Sequence, residues 1–244
     1  MMITADLKGK VAIVTGAGRG IGKAIALLLS ECGCNLLLAA RTESKLIEVA
    51  EESKTHGIDA IPLKVDVSKE EDVKRMVEET IKKFGKVDVL VSNAGVGYAV
   101  PIVKTEEKDW DKMMDINAKG TFLCCREVFK EMIRLKISGA IINIASYAGK
   151  RGYLHQSAYY ASKFAIVGFS KVLAMEGKEF GIRVHVICPG GVNTDFIKQM
   201  RPDIKPSTLI QPRDIADIVI FLITRREDVV IDEVLIRRFA SQIL

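Results

Sequence analysis

The chain has 244 residues, of which 48% are hydrophobic and 27% are charged, and its formal net charge is +5. This length and balance are typical of a globular α/β domain that buries a full core. Lys and Arg alternate with Asp and Glu along helical stretches such as 70–83, which indicates solvated helix faces and argues against a nucleic-acid-binding surface.

The cysteines form no Cys-x-x-Cys pair: Cys32, Cys34, Cys124, Cys125 and Cys188. With only three histidines in the chain, this pattern predicts neither a metal site nor a disulfide framework. Unpaired cysteines suit a reducing cytoplasm, and the N-terminus lacks the long apolar run of a signal peptide. We therefore expect a cytoplasmic protein, and no apolar stretch reaches membrane-spanning length.

Apolar runs of strand length alternate with helical patterns along the whole chain. Strands are predicted near 10–15, 35–40, 59–64, 87–92, 139–144, 182–188 and 231–236. Helices are predicted near 20–32, 43–56, 69–84, 106–136, 157–180 and 213–224. This alternation predicts an α/β fold of the Rossmann type, a doubly wound, seven-stranded parallel sheet with helices on both faces, in a single domain over 1–244. A ligand crevice is then expected at the carboxyl ends of the strands.

A glycine-rich turn joins the first predicted strand to the first predicted helix. Gly16, Gly20 and Gly22 let the backbone bend tightly and approach a pyrophosphate closely. The N-terminus of the following helix offers unpaired N–H groups, including that of Ile21, to the anion. We expect these four residues to bind the phosphates of a dinucleotide, with a tight turn that binds nothing as the alternative.

The spacing Gly-x-x-x-Gly-x-Gly differs from the common Gly-x-Gly-x-x-Gly fingerprint of dinucleotide-binding folds. It resembles the short-chain dehydrogenase/reductase family, including its NADP-dependent carbonyl reductases and 3-oxoacyl-(acyl-carrier-protein) reductases. Further motifs in the family's order extend the resemblance over nearly the whole chain. The resemblance implies an NAD(P)-dependent oxidoreductase.

The end of the second predicted strand bears on the choice of cofactor. In NAD-binding folds an acidic residue about twenty positions after the glycines accepts a hydrogen bond from the ribose 2′-hydroxyl. Here Ala40 and Arg41 occupy that place, and an arginine binds a 2′-phosphate where a carboxylate would repel it. Arg19, inside the glycine turn, can reach the same phosphate. We therefore expect NADP(H) to be preferred, with NAD(H) possible; the alternative is that both arginines are surface residues without a ligand.

The family resemblance assigns two further segments to the cofactor. It places Asp66 and Val67 beside the adenine, and Asn93 as a brace of the sheet beside the adenosine. Ala94 and Gly95 would leave room for the ribose. The residues after the third strand also allow a second interpretation, because Ser68 and Glu71 have the spacing of a helix capping box.

The stretch 106–136 is predicted to be one long helical region. Trp110, Met113 and Met114 are expected to pack in the core of the protein. Asn117 matches the family's catalytic asparagine, and an asparagine inside a helix competes for backbone hydrogen bonds and can mark a kink that holds a water molecule. A purely local hydrogen-bonding role for Asn117 is the alternative.

The active-site signature of the family is a serine followed by Tyr-x-x-x-Lys, which Ser146, Tyr159 and Lys163 match. Positions i and i+4 share a helix face, so Lys163 should lie one turn from Tyr159. An ammonium about 5 Å away would lower the pKa of the phenol, ordinarily about 10, by roughly two pH units. We therefore predict Tyr159 as general acid and base, with Ser146 stabilising the substrate oxygen. Tyr160 has no lysine at i+4 and is expected to pack in the core.

The resemblance also assigns a loop that would lie along the nicotinamide, with contacts from Pro189, Gly190, Val192 and Thr194. By the same resemblance, Tyr159 and Lys163 would touch the cofactor as well as the substrate. The following segment, 195–212, has the position of the family's substrate loop. We expect this segment to form a short, mobile, apolar lid.

The family resemblance implies an NADPH-dependent oxidoreductase that interconverts a carbonyl compound and a secondary alcohol. A 3-oxoacyl-thioester reductase of fatty-acid synthesis and a non-catalytic NADPH-sensing regulator are the alternatives. A small-molecule substrate and a homo-oligomer, dimer or tetramer, are expected, with neither nucleic acid nor membrane as a partner. The ending at Arg237, Arg238 and Phe239 departs from the Asp-Gly-Gly of many relatives, so the usual C-terminal tetramer contacts do not transfer directly.

Overall fold

The computed structural model describes residues 5–241, and these form a sheet of seven parallel strands in the order β3-β2-β1-β4-β5-β6-β7. The strands are β1 Val11–Thr15, β2 Asn35–Ala40, β3 Ala60–Lys64, β4 Val89–Ser92, β5 Ala140–Ile144, β6 Arg183–Pro189 and β7 Glu233–Ile236. The chain moves outward from β1 to β3 and then crosses to β4 on the other side of β1. The crevice expected at such a reversal lies between the carboxyl ends of β1 and β4.

Helices cover both faces of the sheet. They are α1 Gly20–Glu31, α2 Glu43–Lys54, α3 Glu70–Phe84, α4 Glu107–Met113, α5 Gly120–Arg134, α6 Ser157–Gly177, α7 Asp195–Met200 and α8 Pro212–Ile223. Alternate residues of the central strands face opposite layers. Val14 and Leu38 pack with α1, α2 and α8, whereas Ile13 and Leu37 pack with α3, α5 and α6. The predicted seven-stranded Rossmann-type fold is confirmed.

The long helical region predicted over 106–136 is divided by one π-helical turn, Met114–Lys119, between α4 and α5. The turn contains Asn117, at the place where a kink was expected. Met113 is buried as predicted, but the Trp110 side chain is 40% exposed. The prediction that Trp110 packs in the core is therefore wrong, because it lies on the outer side of the short helix α4.

No helix between residues 5 and 241 combines the length and the apolar character that a membrane crossing requires.

Candidate active site

The bend between β1 and α1 requires its glycines for different reasons. Gly16 and Gly20 have φ angles of 67° and 56°, in the left-handed region that glycine adopts without a steric penalty. Gly22 lacks space instead: a Cβ there would lie 2.2 Å from the carbonyl oxygen of Gly16 and 2.6 Å from Nδ2 of Asn93. The bend is therefore held close against the loop that follows β4.

The first turn of α1 presents free donors beside this bend. Gly20, Ile21 and Gly22 are the first residues of α1, and N–H groups in that position have no partner inside the helix. The Arg19 side chain does not cap the helix. This edge of the sheet therefore suits the pyrophosphate of a dinucleotide.

Arg19 and Arg41 lie at the same edge, because β1 and β2 are neighbours and each arginine follows one of them. Both residues are exposed. Across residues 5–241, no hydrogen bond or ion pair engages either guanidinium. Both are therefore available to a phosphate group, and a carboxylate at Arg41 would have removed that option.

Asp66 is engaged in a local hydrogen-bond network. Its Oδ1 accepts from the backbone N–H and the hydroxyl of Ser68, at 3.1 and 2.7 Å, and its own N–H donates to Asp72 at 2.8 Å. The capping box predicted for Ser68 with Glu71 is therefore wrong. An aspartate two residues earlier is a nearer acceptor for the serine, and α3 begins only at Glu70. Val67 is buried against Gly120, where a Cβ would lie 2.8 Å from its side chain.

Thr15, at the end of β1, holds the loop after β4. Its hydroxyl accepts from the N–H groups of Asn93 and Ala94 at 3.0 and 3.1 Å, and the Asn93 amide donates to the Thr15 carbonyl at 3.0 Å. Asn93 thus joins β1 to β4, the bracing position that the resemblance implies. Gly95 follows, and a Cβ on it would lie 3.2 Å from Oδ1 of Asn117 and 3.7 Å from Nζ of Lys163.

The Asn117 side chain is fully buried and fully bonded. Its Oδ1 accepts from the Val96 N–H at 2.8 Å, and its Nδ2 donates to the Val96 carbonyl at 2.8 Å and to the Ser162 hydroxyl at 2.9 Å. No hydrogen of this amide remains for a substrate. Asn117 therefore positions the π-helical turn, the Val96 loop and α6 relative to one another.

Tyr159, Ser146 and Lys163 meet at the carboxyl end of β5. Tyr159 and Ser146 share a hydrogen bond, and the Ser146 hydroxyl also accepts from the N–H of Ala148 at 3.1 Å. Lys163, one helical turn after Tyr159, donates to the carbonyl of Ile144 at 3.0 Å. Its Nζ lies 5.9 Å from the centre of the Tyr159 ring.

Burial controls the protonation of this group. It raises the pKa of the Tyr159 phenol from 10.0 to about 12, and the hydrogen bond with Ser146 offsets only part of this rise. Burial lowers the pKa of the Lys163 ammonium from 10.5 to about 8. The prediction of a lowered Tyr159 pKa is therefore wrong for this structure, because loss of hydration on burial raises it. A phenol with a raised pKa stays protonated at neutral pH and is available as a proton donor.

The loop after β6 lies against the glycine bend. The Thr194 hydroxyl bonds the Val192 carbonyl at 3.2 Å, and a Cβ on Gly20 would lie 3.0 Å from the Thr194 methyl group. Pro189 ends β6, and the Gly190 N–H donates to the carbonyl of Ile236 at 2.7 Å. The predicted nicotinamide loop thus connects the glycine bend with the end of β7.

Helix α7 covers Tyr159. The Phe196 ring lies 5.8 Å from the Tyr159 ring, centre to centre, and Met200 packs in the same cluster. The cavity between α7 and β5 has a volume of about 130 Å³, whereas ligand pockets usually hold roughly 300–1,000 Å³. Helix α7 therefore limits the space beside Tyr159.

Some residues of the site were not predicted. Thr15 and Ser162 anchor Asn93 and Asn117, and Arg201, Arg237 and Arg238 line the cavity. Ser162 could have been found, since it lies inside the Tyr-x-x-x-Lys segment. Nothing in the sequence indicates that the three arginines meet, because that depends on the paths of α7 and the chain after β7.

Comparison with known proteins agrees with this geometry. The family model described as short chain dehydrogenase matches residues 10–205. A 3-oxoacyl-(acyl-carrier-protein) reductase of Staphylococcus epidermidis is 38% identical over 222 residues, covering 87% of this chain and 91% of that protein.

Two solved structures are similar over most of their length. An alcohol dehydrogenase of the archaeon Thermococcus sibiricus, complexed with 5-hydroxy-NADP, has a TM-score of 0.89 at 29% identity and covers 96% of this chain and 99% of its own. A metagenomic short-chain oxidoreductase in complex with NADP has a TM-score of 0.84 at 35% identity, with the same coverage of both chains.

Proposed function

The chain belongs to the short-chain dehydrogenase family and is an oxidoreductase that interconverts carbonyl compounds and alcohols, and we propose that Tyr159 is its general acid and base. The observation that carries this proposal is the hydrogen bond between Tyr159 and Ser146 beside the buried Lys163. All three lie at the edge of the sheet that also holds the glycine bend.

In this proposal each residue has a different role in carbonyl reduction. The nicotinamide cofactor, when bound, supplies the hydride. The substrate oxygen accepts hydrogen bonds from Ser146 and Tyr159, and Tyr159 passes it a proton as negative charge develops. Lys163 holds positive charge near the phenolate that remains, and Asn117 keeps Lys163 and α6 in place through Ser162.

The cofactor is NADPH in this proposal. The unpaired Arg19 and Arg41 lie at the edge where a 2′-phosphate would reach, and two similar structures contain NADP or a derivative of it. Gly16, Gly20, Ile21 and Gly22 hold the pyrophosphate. Asp66, Val67, Asn93, Ala94 and Gly95 border the adenosine, and Pro189, Gly190, Val192 and Thr194 border the nicotinamide.

A carbonyl reductase of free ketones and a 3-oxoacyl-thioester reductase remain two versions of this function, and the Staphylococcus relative favours the second. A regulator that only senses NADPH is disfavoured, because Tyr159 and Lys163 are both present and in the same cleft. In this proposal the segment 195–212, which includes α7, acts as a mobile apolar lid; the packing of Phe196 and Met200 beside Tyr159 supports this.

We place the enzyme in the cytoplasm as a homo-oligomer, a dimer or a tetramer. The outer faces of α5 and α6 supply the contact in this proposal. Large apolar side chains are exposed there, with exposed fractions of 41% for Phe122, 50% for Phe164, 55% for Val172 and 76% for Met175. Sedimentation of the wild type and of Met175→Glu tests the interface, since a charge on this exposed apolar face should produce smaller particles.

The activity itself is tested by the oxidation of NADPH with ketones, diketones and acetoacetyl thioesters. Reduction of free ketones supports a carbonyl reductase, and a strong preference for thioesters supports the alternative. Tight NADPH binding without turnover of any carbonyl compound would support the sensor and overturn the proposed function.

A further inference from the structure

The cavity beside Tyr159 is lined by charges of one sign. Its charged lining residues, among those that the structure describes, are Arg201, Arg237 and Arg238, and no acidic residue lines it. Ser146 and Tyr159 line the same cavity, and most of its other lining residues are aromatic, aliphatic or glycine. A substrate held by Ser146 and Tyr159 therefore shares this cavity with three arginines.

The partners of these arginines leave net positive charge. Within residues 5–241, Arg238 donates to the hydroxyl of Thr208 at 3.1 Å, and Arg237 donates to the backbone carbonyls of Arg238, Phe239 and Ser241. Arg201 forms a two-pronged pair with Asp203, at 2.7 and 2.6 Å. Arg237 and Arg238 form no salt bridge with any residue between 5 and 241, so three positive charges face one negative charge.

The Tyr160 hydroxyl adds an unused polar group at the same place. Tyr160 is 7% exposed, lines the cavity, and its hydroxyl is buried without a hydrogen-bond partner in the described structure. Burial raises its pKa, so it stays protonated and can donate. A buried hydroxyl without a partner costs stability, which is the kind of cost that functional sites carry.

We propose that the substrate carries an anionic group, a carboxylate or a phosphate, remote from its reacting carbonyl, and that Arg237, Arg238 and the Tyr160 hydroxyl bind this group. The proposal rests on the proposed function, in which Ser146 and Tyr159 hold the carbonyl oxygen. The pair of Arg201 with Asp203 displays the bidentate geometry that a guanidinium gives to a carboxylate.

The first experiment compares matched substrates with NADPH. Straight-chain oxo acids are paired with their methyl esters, which keep the chain and remove the charge. Acetoacetyl-coenzyme A is paired with the acetoacetyl thioester of N-acetylcysteamine, which lacks phosphates. We expect a kcat/KM preference of about tenfold for the anionic member of one pair, the usual effect of one charge-assisted hydrogen bond. A preference within the oxo-acid pairs identifies a carboxylate as the bound group, and a preference within the thioester pair identifies a phosphate.

The second experiment tests which residues cause the preference for the anionic substrate. Arg238→Gln and Tyr160→Phe should each reduce the anionic-to-neutral ratio several-fold. Arg226→Gln is the matched control, because Arg226 is 80% exposed, pairs with Asp228 and does not line the cavity; it should keep the wild-type ratio.

Equal turnover of both members of every pair, or a preference unchanged in Arg238→Gln, would overturn the proposal and leave the proposed function intact. Titration calorimetry of the wild type with the oxo acids and the coenzyme A thioester measures binding of the anionic compounds independently of turnover. If no carbonyl compound is reduced, binding of an anionic member that Arg238→Gln weakens still supports the anion site, and absence of binding rejects it.

Discussion

The two sides of the cleft are built by different means. On the cofactor side, most functional groups are backbone N–H groups, and glycines leave space for the ligand. Hydrogen bonds such as that from Asn93 to Thr15 hold these backbone segments together. On the substrate side, long side chains from α6, α7 and the chain after β7 meet around a small cavity. The first side depends on local geometry, whereas the second depends on how distant segments pack.

This difference decides which substitutions affect which property. Changes at the glycine bend of the cofactor side should act through backbone shape and therefore alter stability and cofactor binding together. Changes on the catalytic side should alter chemistry and protonation while the fold persists. Tyr159 and Gly22 represent these two extremes.

The largest effect is expected for Tyr159→Phe. Removal of the proton donor should lower kcat for carbonyl reduction by about a thousandfold, within the range of general acid catalysis. The ring that packs against Phe196 remains, so NADPH binding, followed by fluorescence, should persist. Retained turnover would reject Tyr159 as the acid. It would also show that a change on the substrate side does not act on the chemistry.

Gly22→Ala tests the cofactor side. Its Cβ would lie 2.2 Å from the Gly16 carbonyl oxygen, so we expect a loss of about 3 kcal/mol in the free energy of unfolding, and weaker NADPH binding, because the bend must shift. The matched control is Gly152→Ala, where no neighbouring atom lies within 4 Å of the new Cβ. Urea unfolding of both variants measures the difference; equal stability would contradict the close packing of the bend.

The buried Lys163 should make stability depend on pH. Its pKa is about 8 in the folded protein and 10.5 as the usual value, so between pH 8 and 10.5 the unfolded chain keeps a proton that the folded protein has lost, and below pH 8 both carry it. The charge therefore destabilises the fold at neutral pH by about 3 kcal/mol, and this penalty disappears as pH rises from 8 to 10.5. The raised pKa of Tyr159 acts with the opposite sign, between pH 10 and about 12.

The measurement compares the wild type with Lys163→Met at about pH 7 and about pH 9.5. The wild type should gain about 2 kcal/mol of unfolding free energy relative to the variant over this interval. The interval ends below the range where Tyr159 contributes. The five buried cysteines, whose pKa values are raised by burial, titrate in the unfolded chain over this interval, but they are present in both proteins, so the difference reports the lysine. A difference that stays constant with pH would show that Lys163 is hydrated in the folded protein.

The sequence predicts the cofactor side better than the substrate side for a physical reason. Local turn geometry explains the need for glycine at positions 16 and 20. Local helix geometry likewise explains the spacing from Tyr159 to Lys163. The protonation of Tyr159 was predicted with the wrong sign, because its burial depends on α7, which is distant in sequence. The meeting of Arg201 with Arg238 and the unbonded Tyr160 hydroxyl likewise result from tertiary packing.

The smallest effect that separates the two sides is expected for Arg41→Asp. Arg41 is exposed, and its guanidinium forms no hydrogen bond or salt bridge with residues 5–241, so its replacement should leave the free energy of unfolding nearly unchanged. The new carboxylate would repel a 2′-phosphate and accept from a ribose hydroxyl, which should lower the ratio of kcat/KM for NADPH over NADH by about thirtyfold, or about 2 kcal/mol. Arg226→Asp, equally charged and far from the cleft, controls for the change in net charge. An unchanged ratio in Arg41→Asp would place the 2′-phosphate elsewhere, with Arg19 as the next residue to replace, and would show that this edge of the cleft is not specified by Arg41 alone.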